Sequence, residues 1–479
     1  MDRNFTERTK NFWGWFTENE EKLSSFMQNT AKPGDDTNRI VAFINEGLSL
    51  ISNELHFNIG GDHEFTFSVS GNGAMFFVLP YITANLPEPF RGKWKFFPHM
   101  PGTGGNNFIF RMIEHENTVD TDNVFVSTTP GEDEKTVDLQ FWAQAWENLE
   151  DNECCNAFLT LMEISIGEAF AYTFIDKVDR AKVRTDEMFP LTTLEKWLQD
   201  NLCKEGENLD PANRYFTYQA NPNKEEKPPR EDIFSGIAKY APIMSDYIDE
   251  QDTAYKFFTG LGIKPIFLYY YYNEQADREE ILNLRYQLED KLETEVLGEQ
   301  GSGNEIGLLL GGAVGNWCVY VDLLLYDEQA FFEKVKQALA DTPFMFFCQE
   351  FVHDGQTALL FDDEDESFND RLHQLHEAGV HHEIADILEM LPQMDYTQTS
   401  LYARALNNLG DFNEAIKVLE SIREQGENDK VWHFRYGYAL LFADRPKEAL
   451  AAFQRAKELG DDFEDTNRFI AMCEEAMAK

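Results

Sequence analysis

The 479-residue sequence predicts an α+β fold: two α+β modules followed by an all-α helical solenoid. Three observations carry this expectation. Aromatic-rich strands alternate with amphipathic helices through the first three quarters of the chain. In the last quarter, similar helix–turn–helix patterns recur with a spacing of 34 residues, read from Ala415 and Ala449. Two charged, apolar-poor stretches separate these regions: ANPNKEEKPPRED (220–232) as a boundary rich in Pro and Asn, and FDDEDESFND (361–370) as a linker or solvated helix start. A chain this long exceeds a single core. The expected domains are therefore 1–212, 213–360 and 361–479.

In the first module, FWGWFTENEEKLSSFM and NRIVAFINEGLSLISNEL have the apolar spacing of amphipathic helices. Phe12, Trp15 and Phe16 fall on one helical face, which gives them a core role. HFNIGG and HEFTFSVSG read as a hairpin, AMFFVLPYITANL as a helix, and WKFFPHM, NVFVSTTP and KTVDLQFW as strands. A helix then runs through NAFLTLMEISIGEAFAYTFI. The mixture suggests a second version of the arrangement that the middle region shows more clearly.

There, PIFLYYYYN is a strand by its aromatic content, and REEILNLRYQLEDKLETEVL is a charged amphipathic helix. GLLLGGAVGNWCVYVDLLLYD is a hairpin around Gly315-Asn316, EQAFFEKVKQALAD a second helix, and FMFFCQEF a closing strand. The order βαββαβ is that of a ferredoxin-like sheet with two helices on one face. Tyr269–Tyr272 alternate along their strand, so two should point inward and two toward solvent or a groove.

In the tail, SLYARALNNLGDFNEAIKVLESI (400–422) aligns with HFRYGYALLFADRPKEALAAFQRA (433–456). Ala403 and Gly437 allow close approach of the first helices, and Ala415 and Ala449 of the second. Leu406, Leu419, Leu440 and Phe453 fill the layers between them. Gly410-Asp411 and Asp444-Arg445-Pro446 break the helices at the turns. Over 368–479 the segment resembles the tetratricopeptide repeat family, which implies a helical solenoid with a protein-binding groove. It departs from the family in having Thr399 and His433 where a large aromatic is usual, with Trp432 one place earlier. DTNRFIAMCEEAMAK reads as a capping helix.

The stretch HQLHEAGVHHE (373–383) holds four of the ten histidines. Phased on the repeat, Gly379 stands where Gly410 does, and His381 takes the packing place of Phe412. These histidines are read as the turn of a degenerate first repeat. The alternative is a metal site on His373 and His376, one helical turn apart, and that pair alone lacks converging ligands.

Acidic residues number 86 against 41 basic, a formal net charge of −45. Such a surface repels nucleic acid and anionic lipid and attracts basic proteins. No apolar run suffices to span a bilayer and MDRNFTERTK is polar, so a cytoplasmic protein is expected. The six cysteines show no C-x-x-C spacing, and acids beside Cys154-Cys155 disfavour a thiolate.

Catalytic motifs do not emerge. GSGNEIGLLLGGAVG (301–315) follows a helix and precedes a strand, the reverse of a nucleotide loop, so its glycines read as strand-edge packing glycines. There is no G-x-S-x-G elbow and no H-E-x-x-H helix. The expectation is a non-enzymatic protein without cofactor. FWGWF, HFNIGG, SIGEAF and GGAVGNWCVYVDLLLYD before the repeat tail also look like a group of uncharacterised bacterial α+β proteins linked to toxin–immunity systems. That resemblance implies an immunity protein neutralising a basic toxin. A general repeat scaffold, or an enzyme with a site between the α+β modules, are the alternatives. Candidate groove residues are Tyr402, Arg404, Asn407, His433, Tyr436 and Tyr438. Asp461, Asp462, Glu464 and Asp465 are the candidate acidic surface for a basic partner.

Overall fold

Seven antiparallel strands form the central sheet, seen in a computed structural model. That structure describes residues 3–29, 35–112, 117–131, 135–203, 209–222, 229–272, 277–342, 344–362, 368–462 and 464–478. Across the sheet the strands run Phe216–Gln219, Ile233–Ala238, Gly307–Gly315, Cys318–Leu325, Lys264–Tyr271, Phe347–Glu350 and Thr357–Leu359. Along the chain, Lys264–Tyr271 leads into helix Arg278–Lys291, then the two hairpin strands, helix Glu328–Ala338 and strand Phe347–Glu350. The first strand of this series thus lies between the third and the fourth.

Strand Gly307–Gly315 lies inside the sheet rather than at its edge, and its glycines answer to crowding by neighbouring backbone. A Cβ on Gly311 would sit 2.1 Å from the Ile237 carbonyl oxygen, and its φ of +149° suits only glycine. A Cβ on Gly315 would meet the Asp232 carboxylate. Tyr269, Tyr270 and Tyr271 are all buried, which corrects the solvent-facing half of the expectation, while Tyr270, Tyr271 and Tyr272 line a cavity of about 190 Å³. Both faces of their strand are covered. Tyr270 lies by Ile281 of helix Arg278–Lys291, while Tyr271 donates to Asp386 of helix His381–Glu389 at 2.7 Å.

Of the two expected boundary stretches, residues 223–228 and 363–367 lie outside the described residues. The end of the first is core. Arg230 and Asp232 are buried, and the Arg230 guanidinium donates to Asp322 at 2.6 Å. Asp232 accepts from the Trp317 and Cys318 backbone and from the Tyr320 hydroxyl. Partners some ninety positions away offset the desolvation of these charges, which local composition does not reveal.

The first 212 residues divide between two cores. Residues from Phe5 to Trp94 join the apolar core of the central sheet and tail, while those from Val119 to Leu198 form their own. Helix Phe5–Asn29 buries Phe12, Trp13 and Phe16, with Trp15 only partly covered. Its start is tied to the sheet by Phe5 N–H to Gly262 O at 3.0 Å. The hairpin His56–Gly60/Glu64–Ser68 gains Lys95–Phe97 as a parallel third strand. The second core centres on a four-stranded sheet, Ile175–Arg180, Val137–Ala143, Val124–Pro130 and Phe189–Pro190, whose first two strands are parallel. Phe141 stacks on Phe158 of helix Asp151–Ile166 at 4.1 Å. Strands Ile109–Met112 and Asn117–Asp120 form a third small sheet, and among the described residues none of the three has the strand order of the central one, so the expected second copy of that arrangement is not how this region folds.

The tail is helical throughout: Phe368–Glu377 pairs with His381–Glu389, Tyr396–Leu409 with Phe412–Ser421, and Lys430–Phe442 with Pro446–Glu458, before a last helix Glu464–Ala478. Ala403, Ala415, Gly437 and Ala449 are buried where helices cross, and a Cβ on Gly437 would touch Phe453 at 3.0 Å. Gly379, Gly410 and Asp444 turn the chain at positive φ. Trp432 is buried and donates to Leu419 O at 3.0 Å. Among the described residues, no helix is long and apolar enough to cross a membrane.

Candidate binding groove

Helices Tyr396–Leu409 and Lys430–Phe442 lie side by side, and the start of helix Glu464–Ala478 closes one flank. Between them opens a cavity of about 470 Å³. Val431, Phe434, Arg435 and Tyr438 line it from one helix; their spacing of three, four and seven places them on a single face. Arg404, Asn407 and Asn408 line it from the other, and Glu464 and Asp465 from the last helix. Beside Tyr438, Phe442 is 43% exposed and stacks on Phe412 at 5.3 Å, extending the wall as an aromatic shelf.

The groove thus gathers Arg404, Asn407, Tyr438, Glu464 and Asp465 from the sequence candidates. It does not gather the others. His433 and Tyr436 point to the opposite side, into a second cavity of about 670 Å³ with Arg423, Glu427, Glu448 and Arg455. Tyr436 donates to Glu420 at 2.7 Å, and burial pushes its hydroxyl up to about 12. Tyr402 is buried and donates to Glu389 at 2.6 Å, which pins its helix to the preceding pair. Asp461 is buried rather than part of an acidic surface, because it accepts the Thr466 hydroxyl at the start of the last helix. Asp462 is exposed, 4.0 Å from Lys430. Phe434 and Arg435 were missed by sequence reading, although the apolar spacing of Val431, Phe434 and Tyr438 marks the face they share.

The histidines do not converge. His373 is exposed, while His376 is buried with its Nδ1 3.0 Å from His381 Nδ1. Burial first, then Arg404, pushes His376 down to about 3, and burial lowers His381 as well, so a neutral His376 ring shares a hydrogen bond with its neighbour. No group of three or more His, Cys, Asp or Glu that could hold a metal ion forms among the described residues.

One contact chain has the residue types of a hydrolase triad. His63 Nδ1 lies 2.8 Å from Asp62 and its Nε2 lies 3.1 Å from Ser24 Oγ. The Ser24 hydroxyl, however, donates to Glu20 at 2.5 Å, and Glu20 also accepts from Trp94 and Lys93. A buried serine whose proton is held by a carboxylate, in the last turns of helix Phe5–Asn29, is a packing knot rather than a nucleophile. At Cys154, burial raises the thiol, and Asp151 and Glu153 add to this.

No family model matches the chain, and no curated protein matches it significantly.

Proposed function

We propose that this is a non-enzymatic protein-binding protein whose C-terminal helices form a solenoid of the tetratricopeptide kind. The middle region is read as a ferredoxin-like unit that serves as its platform. The observation that carries the reading is the open groove on the first-helix face of the tail, with polar and aromatic residues on its walls. Grooves of this shape take an extended or helical segment of another protein. Net charge favours a more pointed second version: an immunity protein that neutralises a basic toxin, steered to it by an excess of 45 negative charges.

The test is affinity capture from the native lysate with the wild-type chain and with Tyr438→Ala, at low and high salt. A stoichiometric partner retained by the wild type and lost by Tyr438→Ala supports the groove. If that partner is basic and is released by salt, the immunity version gains. Retention that ignores Tyr438→Ala removes the groove from the account.

A further inference from the structure

Lys239 stands just past the end of strand Ile233–Ala238 and is 6% exposed. Its Nζ lies 5.2 Å from the centre of the Tyr215 ring and has no hydrogen-bond or ion-pair partner among the described residues. Lysines are seldom buried unless paired, because losing water disfavours the ammonium. Burial accordingly pulls this amine below the usual lysine range, although Glu293, Asp210 and Glu289 favour its charged form. A second side chain is also left short of a partner. Glu289 is 7% exposed, and its Oε1 takes no hydrogen bond, the Arg285 Nε at 3.0 Å being poorly aligned. Burial raises this carboxyl to about 7, against the pull of Arg285. Strand register brings the two groups to one face. Ile237 pairs with Gly312, and a Cβ on Gly312 would sit 2.8 Å from Glu289 Oε1, so the carboxyl rests on that glycine. Side chains alternate along a strand, which puts Lys239 on the face of Ile237, two places on. Helix Arg278–Lys291 runs on as a π-helical turn, Leu292–Leu297, which carries Glu293, and such turns concentrate at functional sites. Tyr215, 44% exposed, stands where this face meets solvent.

An amine that keeps its lone pair, beside a carboxyl that can give and take a proton, has what imine formation needs. We infer that Lys239 is a nucleophilic amine that captures a small uncharged aldehyde or ketone, with Glu289 moving the protons. The nitrogen lone pair adds to the carbonyl carbon and forms the C–N bond. The C=O π pair moves to oxygen, which takes the proton that nitrogen gives up and becomes a hydroxyl. Glu289 then protonates that hydroxyl, which leaves as water while the nitrogen lone pair closes the C=N bond. The last N–H proton returns to the Glu289 carboxylate, so a neutral imine, one water and the original carboxyl complete the balance. Hydrolysis reverses each step, and the ligand is bound without being consumed. Glu293, Asp210 and Glu289 repel anions, which disfavours 2-oxo acids and phosphorylated carbonyl compounds. The site belongs to the central sheet and stands independently of the groove reading.

The test is reductive trapping on the full chain at pH 7. Propanal is supplied with cyanoborohydride, which delivers hydride to the C=N carbon and fixes the adduct as a propylamine. Labelled lysines are then mapped by peptide mass spectrometry. A lysine in water is uncharged in only about one molecule in 2,500 at pH 7, so surface lysines label slowly. Lys239 is expected to label at least tenfold faster than exposed Lys334. Between pH 7 and 8 its rate should rise by less than the roughly tenfold gain of Lys334. Glyoxylate, an anionic aldehyde, should lose the preference for Lys239. Glu289→Gln should slow labelling of Lys239 roughly fivefold or more and leave Lys334 unchanged. The wild-type comparison needs no variant, so it decides the matter even if Glu289→Gln does not fold. Labelling of Lys239 no faster than that of Lys334, or the same preference with glyoxylate as with propanal, overturns the inference. An unchanged Lys239 rate in Glu289→Gln overturns the proton transfer assigned to that carboxyl.

Discussion

Replacing Arg371 should detach the tail from the sheet without unfolding either. Arg371 is 2% exposed on helix Phe368–Glu377, and its guanidinium donates to four carbonyl oxygens just past helix Glu328–Ala338. The distances are 3.2 Å to Leu339, 3.0 Å to Ala340, 2.8 Å to Thr342 and 2.7 Å to Phe344. It also covers the Phe361 ring at 3.8 Å. A cation at a helix C-terminus satisfies carbonyls that have no partner within the helix. Arg371→Met keeps much of the apolar stem and removes every donor. Leu339 O keeps its bonds from the Thr342 N–H and hydroxyl, so three carbonyls lose the donor that Arg371 supplies. At about 1 kcal/mol or more each, reduced by relaxation and water entry, a loss of about 2–3 kcal/mol is expected. At 1.4 kcal/mol per decade, opening of this helix pair becomes roughly thirtyfold to a hundredfold more frequent. Hydrogen exchange of the amides in Phe368–Glu377 and His381–Glu389 reads this directly. Arg371→Lys, with charge and up to three donors retained, should fall between. If Arg371→Met accelerates exchange less than about fivefold, under 1 kcal/mol, the bonds do not dock the tail and the reasoning fails.

Three further outcomes are expected. Glu168 is buried and accepts from Ser68 Oγ, Val69 N–H and Met100 N–H at 2.5, 3.1 and 2.8 Å, joining the two cores. Glu168→Ala should lower stability by about 2–4 kcal/mol in urea unfolding, and an unchanged midpoint would show that the cores do not depend on it. Gly311→Ala sets a Cβ 2.1 Å from a carbonyl oxygen in the sheet centre, so no soluble folded chain is expected, and a normal melting curve would disprove the packing argument. His376 has a folded pKa near 3, below the value of about 6.5 for an unfolded histidine. The unfolded chain therefore binds the extra proton, and the tail loses stability as pH falls from about 6.5 toward 3. Hydrogen exchange in the tail at pH 7.5 and 5.5 should show a steeper acid loss for the wild type than for His376→Asn; equal slopes would contradict it.

The parts of the fold legible in sequence are those set by local rules. The 34-residue spacing, the buried alanines at helix crossings and the turn residues Gly410 and Asp444 all act within a few positions. The βαββαβ series reads equally well, because each element carries its own periodicity. The facing of helix Lys430–Phe442 was less legible, since aromatics lie all around it and His433 and Tyr436 competed with Phe434 and Arg435. The fate of Tyr269–Tyr271 turned on a second cover supplied by a helix more than a hundred residues later. Arg230 and Asp232 looked like a boundary because their partners stand at Tyr320 and Asp322. The division of the first module between two cores depends on which distant surface a helix meets, and periodicity is silent on that.

The tie between Phe5, Tyr81 and Tyr326 also has a meaning in time. A ribosome adds roughly 5–20 residues per second, so the face carrying Phe5 waits about 15–60 s for the strand that covers it. The region from Val119 to Leu198 holds its own core and can close during that interval. A nascent chain that stalls before Tyr326 thus pairs one finished unit with an uncovered aromatic face, the state in which chaperone capture or aggregation is decided.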